Sequence, residues 1–138
     1  MINAKRLFTG TIMLICWIPL AMLAQDINIE NMPPVVVKTV PQSGDSNVDS
    51  NLSEIKVTFS KDMADGSWSI TQVAKENFPQ IKERPKYLAD KRTCVMKVSL
   101  EPNKTYAIWL NTDRYKNFKD TIQNSAIPYL LVFKTTKE

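Results

Sequence analysis

Histidine is absent from all 138 residues, which removes Ser-His-Asp and Cys-His nucleophilic mechanisms and His-rich zinc sites together. Glycine is almost as scarce. With only Gly10, Gly44 and Gly66, no three-glycine phosphate cradle can form. Cysteine occurs twice, at positions 16 and 94, and the amino-terminal processing expected below would leave a mature monomer with Cys94 alone and no internal disulfide. Stability must then come from the core. Convincing helical periodicity over ten or more residues, internal repeats and low-complexity segments are also missing beyond residue 25.

Residues 1–25 carry Lys5 and Arg6, then an apolar run over 7–23, and no acidic residue. That layout is a secretory signal peptide, with the basic start held on the cytoplasmic side and small Ala24 permitting cleavage near Ala24 or Gln25. A retained anchor is the competing reading, since a spanning helix needs about 20 residues, but Gly10, Thr11 and Pro19 weaken such a helix. A lipoprotein reading is weaker still, because Cys16 follows bulky Ile15. The expected organisation is a signal peptide at 1–25, a short extension at 26–33 and one domain at 34–138, with no membrane span after cleavage.

Removing 25 of 138 residues leaves 113, the size of one domain, enough to bury roughly two-thirds of its unfolded surface. Taking Lys5 and Arg6 from 18 basic residues leaves 16 against 14 acids, a net charge of +2. So slight an excess argues against nucleic acid as a partner. The densest basic stretch, residues 75–97, holds seven Lys or Arg and three acids and reads as a solvated loop plus the outer face of a strand.

What the mature sequence does contain is period-two alternation. Pro33 and Pro34 open the run Val35, Val36, Val37 and Pro41 closes it, which suits an edge strand. Residues 42–53 read as a loop. Ile55, Val57 and Phe59 alternate with Lys56, Thr58 and Ser60 as a half-buried strand. After a turn at Asp65 and Gly66, Trp68 and Ile70 are expected inward, with Ser67, Ser69 and Thr71 outward. Between 73 and 91 the signal is poor: Pro79 and Pro85 break any helix, a single turn fits 73–78, and a short strand fits near Tyr87. Alternation returns at Cys94, Met96, Val98 and Leu100, making Cys94 a small buried apolar residue rather than a reactive thiol, and again at Tyr106, Ile108 and Leu110. A long irregular loop over 112–128 precedes a last strand at 129–136. Seven short strands at these spacings predict an all-β sandwich.

Two groups of residues then resemble a known family. Pro34, Val35, Val36, Pro41, Gly44, Val48, Ile55, Val57, Phe59, Ser60, Lys61, Asp62 and Met63 are similar to the opening of the bacterial Ig-like domain of the S-layer-protein type. Leu100, Pro102 and Tyr106 look like its Leu-x-Pro-x-x-x-Tyr, and Val132, Phe133, Lys134 and Thr135 like its terminal Phe-x-Thr strand. The resemblance covers essentially the whole mature chain and implies an all-β, Ig-like Greek-key β-sandwich of about seven strands and an extracellular setting. Tyr106 fits a tyrosine corner, its hydroxyl bonded to backbone a few residues upstream. Leu100, Pro102, Trp68, Phe59 and Phe133 are the other expected structural positions. One departure concerns the family's Asp-x-x-Gly-Asn before the last strand: here Asp120 is followed by Thr121, Ile122, Gln123 and Asn124. The glycine is missing, and Asn is expected to tolerate the left-handed geometry.

Chemistry is thin. Carboxylate pairs at Asp62 with Asp65, or Asp113 with Asp120, suit glycoside hydrolysis only if they converge, and Asp in turns usually bonds its own backbone. Asp45, Asp49 and Asp62 raise calcium, but no loop has the dense ligand spacing calcium favours. No catalytic residue, metal or cofactor is expected. Trp109 is the better lead, since it falls on the strand face opposite Tyr106, Ile108 and Leu110. With Tyr115 and Phe118 it would form an exposed platform for a protein surface or a stacked sugar ring; the competing arrangement folds Phe118 and Ile127 over the indole. The expected function is a secreted, periplasmic or cell-surface non-catalytic module for contact with an envelope or extracellular protein, or for spacing. The alternatives are a glycan-binding module using exposed aromatics and, more distantly, a small carboxylate- or metal-dependent hydrolase.

Overall fold

The computed structural model describes residues 26–137, so the expected signal segment at 1–25 lies outside the described residues. Eight strands follow in order: β1 Val36–Val40, β2 Glu54–Phe59, β3 Ile70–Gln72, β4 Gln80–Ile81, β5 Lys86–Tyr87, β6 Thr93–Ser99, β7 Thr105–Leu110 and β8 Tyr129–Lys134, with one 3-10 turn at Lys75–Asn77. Alternation dictates the two long antiparallel pairings. In β2 against β6, Ile55 lies opposite Met96 and Val57 opposite Cys94. In β7 against β8, Tyr106 lies opposite Phe133 and Ile108 opposite Leu131. All eight of these side chains are buried.

One sheet runs β1-β2-β6, with β4 and β5 pairing in turn along the far edge of β6; the other runs β3-β7-β8. Their inner rows meet in one apolar cluster, closed by Val48, Phe59, Met63, Phe118 and Ala126. The segment between β1 and β2 crosses from one sheet to the other and seals the outer edge of β8. Gly44 N–H donates to Val132 O at 2.7 Å, Lys134 N–H to Asp45 O at 2.8 Å and Thr136 N–H to Val48 O at 2.9 Å. That covering leaves β8 few free backbone groups for unwanted pairing.

Several expectations are corrected in detail. The strands number eight rather than seven: β5 is the short strand expected near Tyr87, and two-residue β4 adds one where the sequence signal was poor. The first strand starts one residue later and is bulged between Val36 and Lys38, which breaks the run of valines out of alternation. Trp68 is not in a strand: β3 spans only Ile70–Gln72. Ser69 is buried there, because its Oγ accepts from Asn117 N–H at 2.9 Å, and Trp68 is left half-buried at the rim with the Arg84 guanidinium 4.8 Å above its ring.

Candidate functional site

The outer face of the three-stranded sheet follows directly from register. Trp109 pairs with Thr71 on β3 and with Leu130 on β8, and Ala107 pairs with Val132. Directly opposed residues share a face, so while Tyr106, Ile108 and Leu110 fill the core, these five form a row of aromatic, aliphatic and small side chains turned outward. Trp109 is half-buried and Leu130 is 37% exposed. Beside the indole lies a shallow groove of about 340 Å³, lined by Trp109, Thr112, Asp113, Arg114 and Pro128. Tyr115 stands just beyond it, 47% exposed, with the Arg114 guanidinium 5.4 Å from its ring centre.

The loop that shapes this groove is held at both ends. Asn111, fully buried directly after β7, takes φ 57°, a left-handed conformation that Asn tolerates better than most residues. Its Nδ2 donates to Phe118 O and Ala126 O at 3.0 Å each, and its Oδ1 accepts from Phe118 N–H at 2.9 Å. One amide thus ties the start of the loop to two later points. A tight turn at 112–115 follows, in which Thr112 N–H donates to Tyr115 O at 2.8 Å and Tyr115 N–H to Thr112 Oγ1 at 3.0 Å.

The second anchor is Asp120, whose carboxylate is fully buried. It accepts from Ile122 N–H at 3.1 Å, Asn124 N–H at 2.8 Å and Asn124 Nδ2 at 3.1 Å, and it pairs with Lys61 Nζ at 2.7 Å. Burial works against its charge, but the Lys61 bond and the Asn124 and Ile122 donors outweigh it and hold the carboxyl below its ordinary value. Lys61 also donates to Glu30 O at 2.8 Å and Met32 O at 3.0 Å, fixing the entering segment to the same point. Gln123, not Asn124, occupies the left-handed position, at φ 74°. Asn124 is instead turned toward Asp120 by its two bonds.

Of the expected platform, the structure brings Trp109 and Tyr115 to the outside and takes Phe118 away. Phe118 is 1% exposed and packs on Phe59 with ring centres 5.2 Å apart, because the Asn111 bonds turn its backbone inward. Ile127 is half exposed. Tyr106 is buried against Phe133 at 5.4 Å, and its hydroxyl accepts from Glu101 N–H at 2.8 Å. In the same Leu-x-Pro-x-x-x-Tyr segment Leu100 is partly buried against the core and Pro102 is exposed.

The acidic candidates are dispersed. Asp45 and Asp49 each accept from a backbone N–H two residues on, at 2.8 Å, Asp65 accepts from Gly66 N–H at 2.7 Å and Asp62 pairs with Arg92 at 2.8 Å. Asp113 lines the groove, whereas Asp120 is locked in its ion pair. Among the described residues no group of three or more acidic or thiol side chains is placed to hold a metal ion. Cys94 is fully buried, and burial, reinforced by the nearby Asp65 charge, pushes its thiol up to about 12.

Sequence reasoning missed Asn111 and the Lys61–Asp120 pair. An Asn directly after an inward row and before a long loop is the signal that would have found the first; nothing local announces the second, whose partners are 59 positions apart.

Two antiparallel sheets packed face to face, with a buried hydroxyl-bonded tyrosine on one of them, define an Ig-like sandwich. The family model for the bacterial Ig-like domain matches residues 30–135, and the chain belongs to that family. Among solved structures, that of the S-layer protein rSbsC(31-844) is 22% identical with a TM-score of 0.51, covering 78% of this chain and 14% of that one. Domains 1–6 of the surface layer protein SbsC are 20% identical with a TM-score of 0.52, covering 79% and 14%. The N-terminal part of SbsC is 20% identical with a TM-score of 0.52, covering 76% and 24%. At these identities the likeness is one of fold, and the chain spans about a seventh of the first two. No curated protein matches the chain.

Proposed function

We propose that this protein is a secreted or cell-surface Ig-like module that acts by contact rather than by catalysis, and that it engages a protein partner through the outer face of the β3-β7-β8 sheet. The observation that carries this reading is the outward Thr71–Trp109–Leu130 row. A solvent-facing Trp beside aliphatic neighbours is the kind of anchor that dominates protein interfaces. Fold likeness to S-layer proteins, family membership and the signal-like amino terminus support a surface setting. A pull-down from the host's envelope fraction should recover a specific partner at low-micromolar affinity with the wild type and lose it with Trp109→Ala. Equal recovery by both would rule out this face.

A second reading rests on the groove, where Thr112, Asp113 and Arg114 line the same space as Trp109. Polar groups around an aromatic plane are how a sugar ring is oriented as well as stacked. A glycan array on which wild type binds and Trp109→Ala and Asp113→Asn do not would favour that reading. Silence of the wild type would leave the protein-contact reading alone.

A further inference from the structure

The opposite face of the sandwich has the contrary chemistry. Along β6 the inward side chains are Cys94, Met96 and Val98, so Thr93, Val95 and Lys97 point outward. Register places Lys56 and Lys86 on either side of Val95, Lys38 beside Thr58, and Glu54 beside Lys97. Lys82 joins the same side, where its Nζ donates to Gln80 Oε1 at 2.9 Å. Five lysines, four from strands β1, β2, β5 and β6 and Lys82 from just after β4, thus share one sheet face. Three acids accompany them: Glu54, clamped between Lys97 and Lys56, Glu83 near Lys97, and Asp90 at the margin, held by Thr93 Oγ1 at 2.6 Å.

Val95 shows how these lysines lie. It faces outward yet is only 5% exposed. The residues opposite it on both neighbouring strands are Lys56 and Lys86, a placement in which lysine stems can lie along apolar surface with their ammonium groups in water. Lys38, Lys82 and Lys86 make no ion pair among the described residues.

We infer that this face binds a linear polyanion, a chain bearing phosphate or carboxylate groups. The face surplus, five lysines against three acids, equals the +2 of the whole chain beyond residue 25, so the cationic excess is gathered here. Lysine presents point charges rather than bidentate forks, which suits repeated single anions on a chain. The face offers no exposed aromatic for stacking nucleic-acid bases, and its exposed large aliphatics, Val37 and Val40 on β1 and Leu88 just after β5, stand at its two margins, separated and too few to enter a bilayer.

The test compares two triple variants with the same loss of charge. Lys38→Gln, Lys82→Gln, Lys86→Gln removes the unpaired lysines of this face; Lys75→Gln, Lys116→Gln, Lys137→Gln removes exposed ones elsewhere. At low salt the wild type should bind inorganic polyphosphate or polygalacturonate, and the stronger of the two identifies the anion. The face variant should lose about tenfold or more and flatten the salt dependence, as expected when phosphate contacts are removed, while the control variant stays within about twofold. Matching thermal melts show that both fold. Trp109→Ala should bind the polyanion unchanged, so this inference and the Trp109 reading fail separately. Equal losses in both triple variants, no binding by the wild type, or equally tight binding to anionic lipid vesicles would overturn the assignment.

Discussion

Replacing Asp120 by Asn removes one charge from a carboxylate that is fully buried, while keeping an oxygen able to accept from Ile122 and Asn124. What is lost is the 2.7 Å pairing with Lys61 and the bond from Asn124 Nδ2. Breaking a buried pair by removing one partner costs about 3–5 kcal/mol. Here the Lys61 side chain retains 15% exposure and two carbonyl acceptors, so about 2–3 kcal/mol is expected, a large share of the roughly 5–15 kcal/mol a domain possesses. Urea unfolding monitored by tryptophan fluorescence should show the midpoint falling with an unchanged slope. A double-mutant cycle with Lys61→Met should return a coupling of about 1–3 kcal/mol. The sign with pH follows from the depressed carboxyl: the stabilisation is complete above the unfolded Asp value of about 3.9, is lost as pH falls through the lower folded value, and the variant should show a shallower acid limb. A cost under about 0.5 kcal/mol, or strict additivity in the cycle, would refute the claim that this pair anchors the loop.

Other outcomes follow from the same geometry. Asn111→Ala should cost about 2–4 kcal/mol, since Phe118 N–H and Ala126 O lose their partner and Phe118 O keeps only Ala126 N–H, and hydrogen exchange should show residues 112–126 opening ahead of the core. Phe118→Ala should cost about 3–5 kcal/mol and Tyr115→Ala under about 0.5 kcal/mol in chemical denaturation, which separates the two aromatics once grouped together. Gln123→Gly should stabilise by about 0.5 kcal/mol, because left-handed geometry costs a non-glycine residue about 1–2 kcal/mol and glycine returns part of that as chain entropy; a measured loss would mean Gln123 contributes contacts of its own. Cys94 should resist an aromatic disulfide reagent at pH 8 and react fully in guanidinium, since the thiol is buried and its pKa is pushed up to about 12.

The sandwich was legible where alternation was strict. Ile55, Val57, Phe59 and Tyr106, Ile108, Leu110 declare their inner faces because a one-residue slip would turn every apolar side chain to water. Gln80–Ile81 and Ser69 were not legible, since a two-residue strand has no period and Ser69 turns inward only because Asn117, 48 positions away, needs an acceptor. The site divides the same way. Trp109 was placed by local alternation, whereas the fate of Phe118 depended on Asn111 side-chain bonds that no strand pattern encodes. The lysine face became visible only through register, because Lys38, Lys56, Lys86 and Lys97 come from four different strands.

The most direct test of recognition through Trp109 is binding of the fluorescently labelled protein to intact host cells, measured to saturation for the wild type and for Trp109→Ala with an unchanged thermal melt. A saturable wild-type isotherm that weakens tenfold or more in the variant, about 1.4 kcal/mol, is the expected result. Equal isotherms for the two proteins would contradict it.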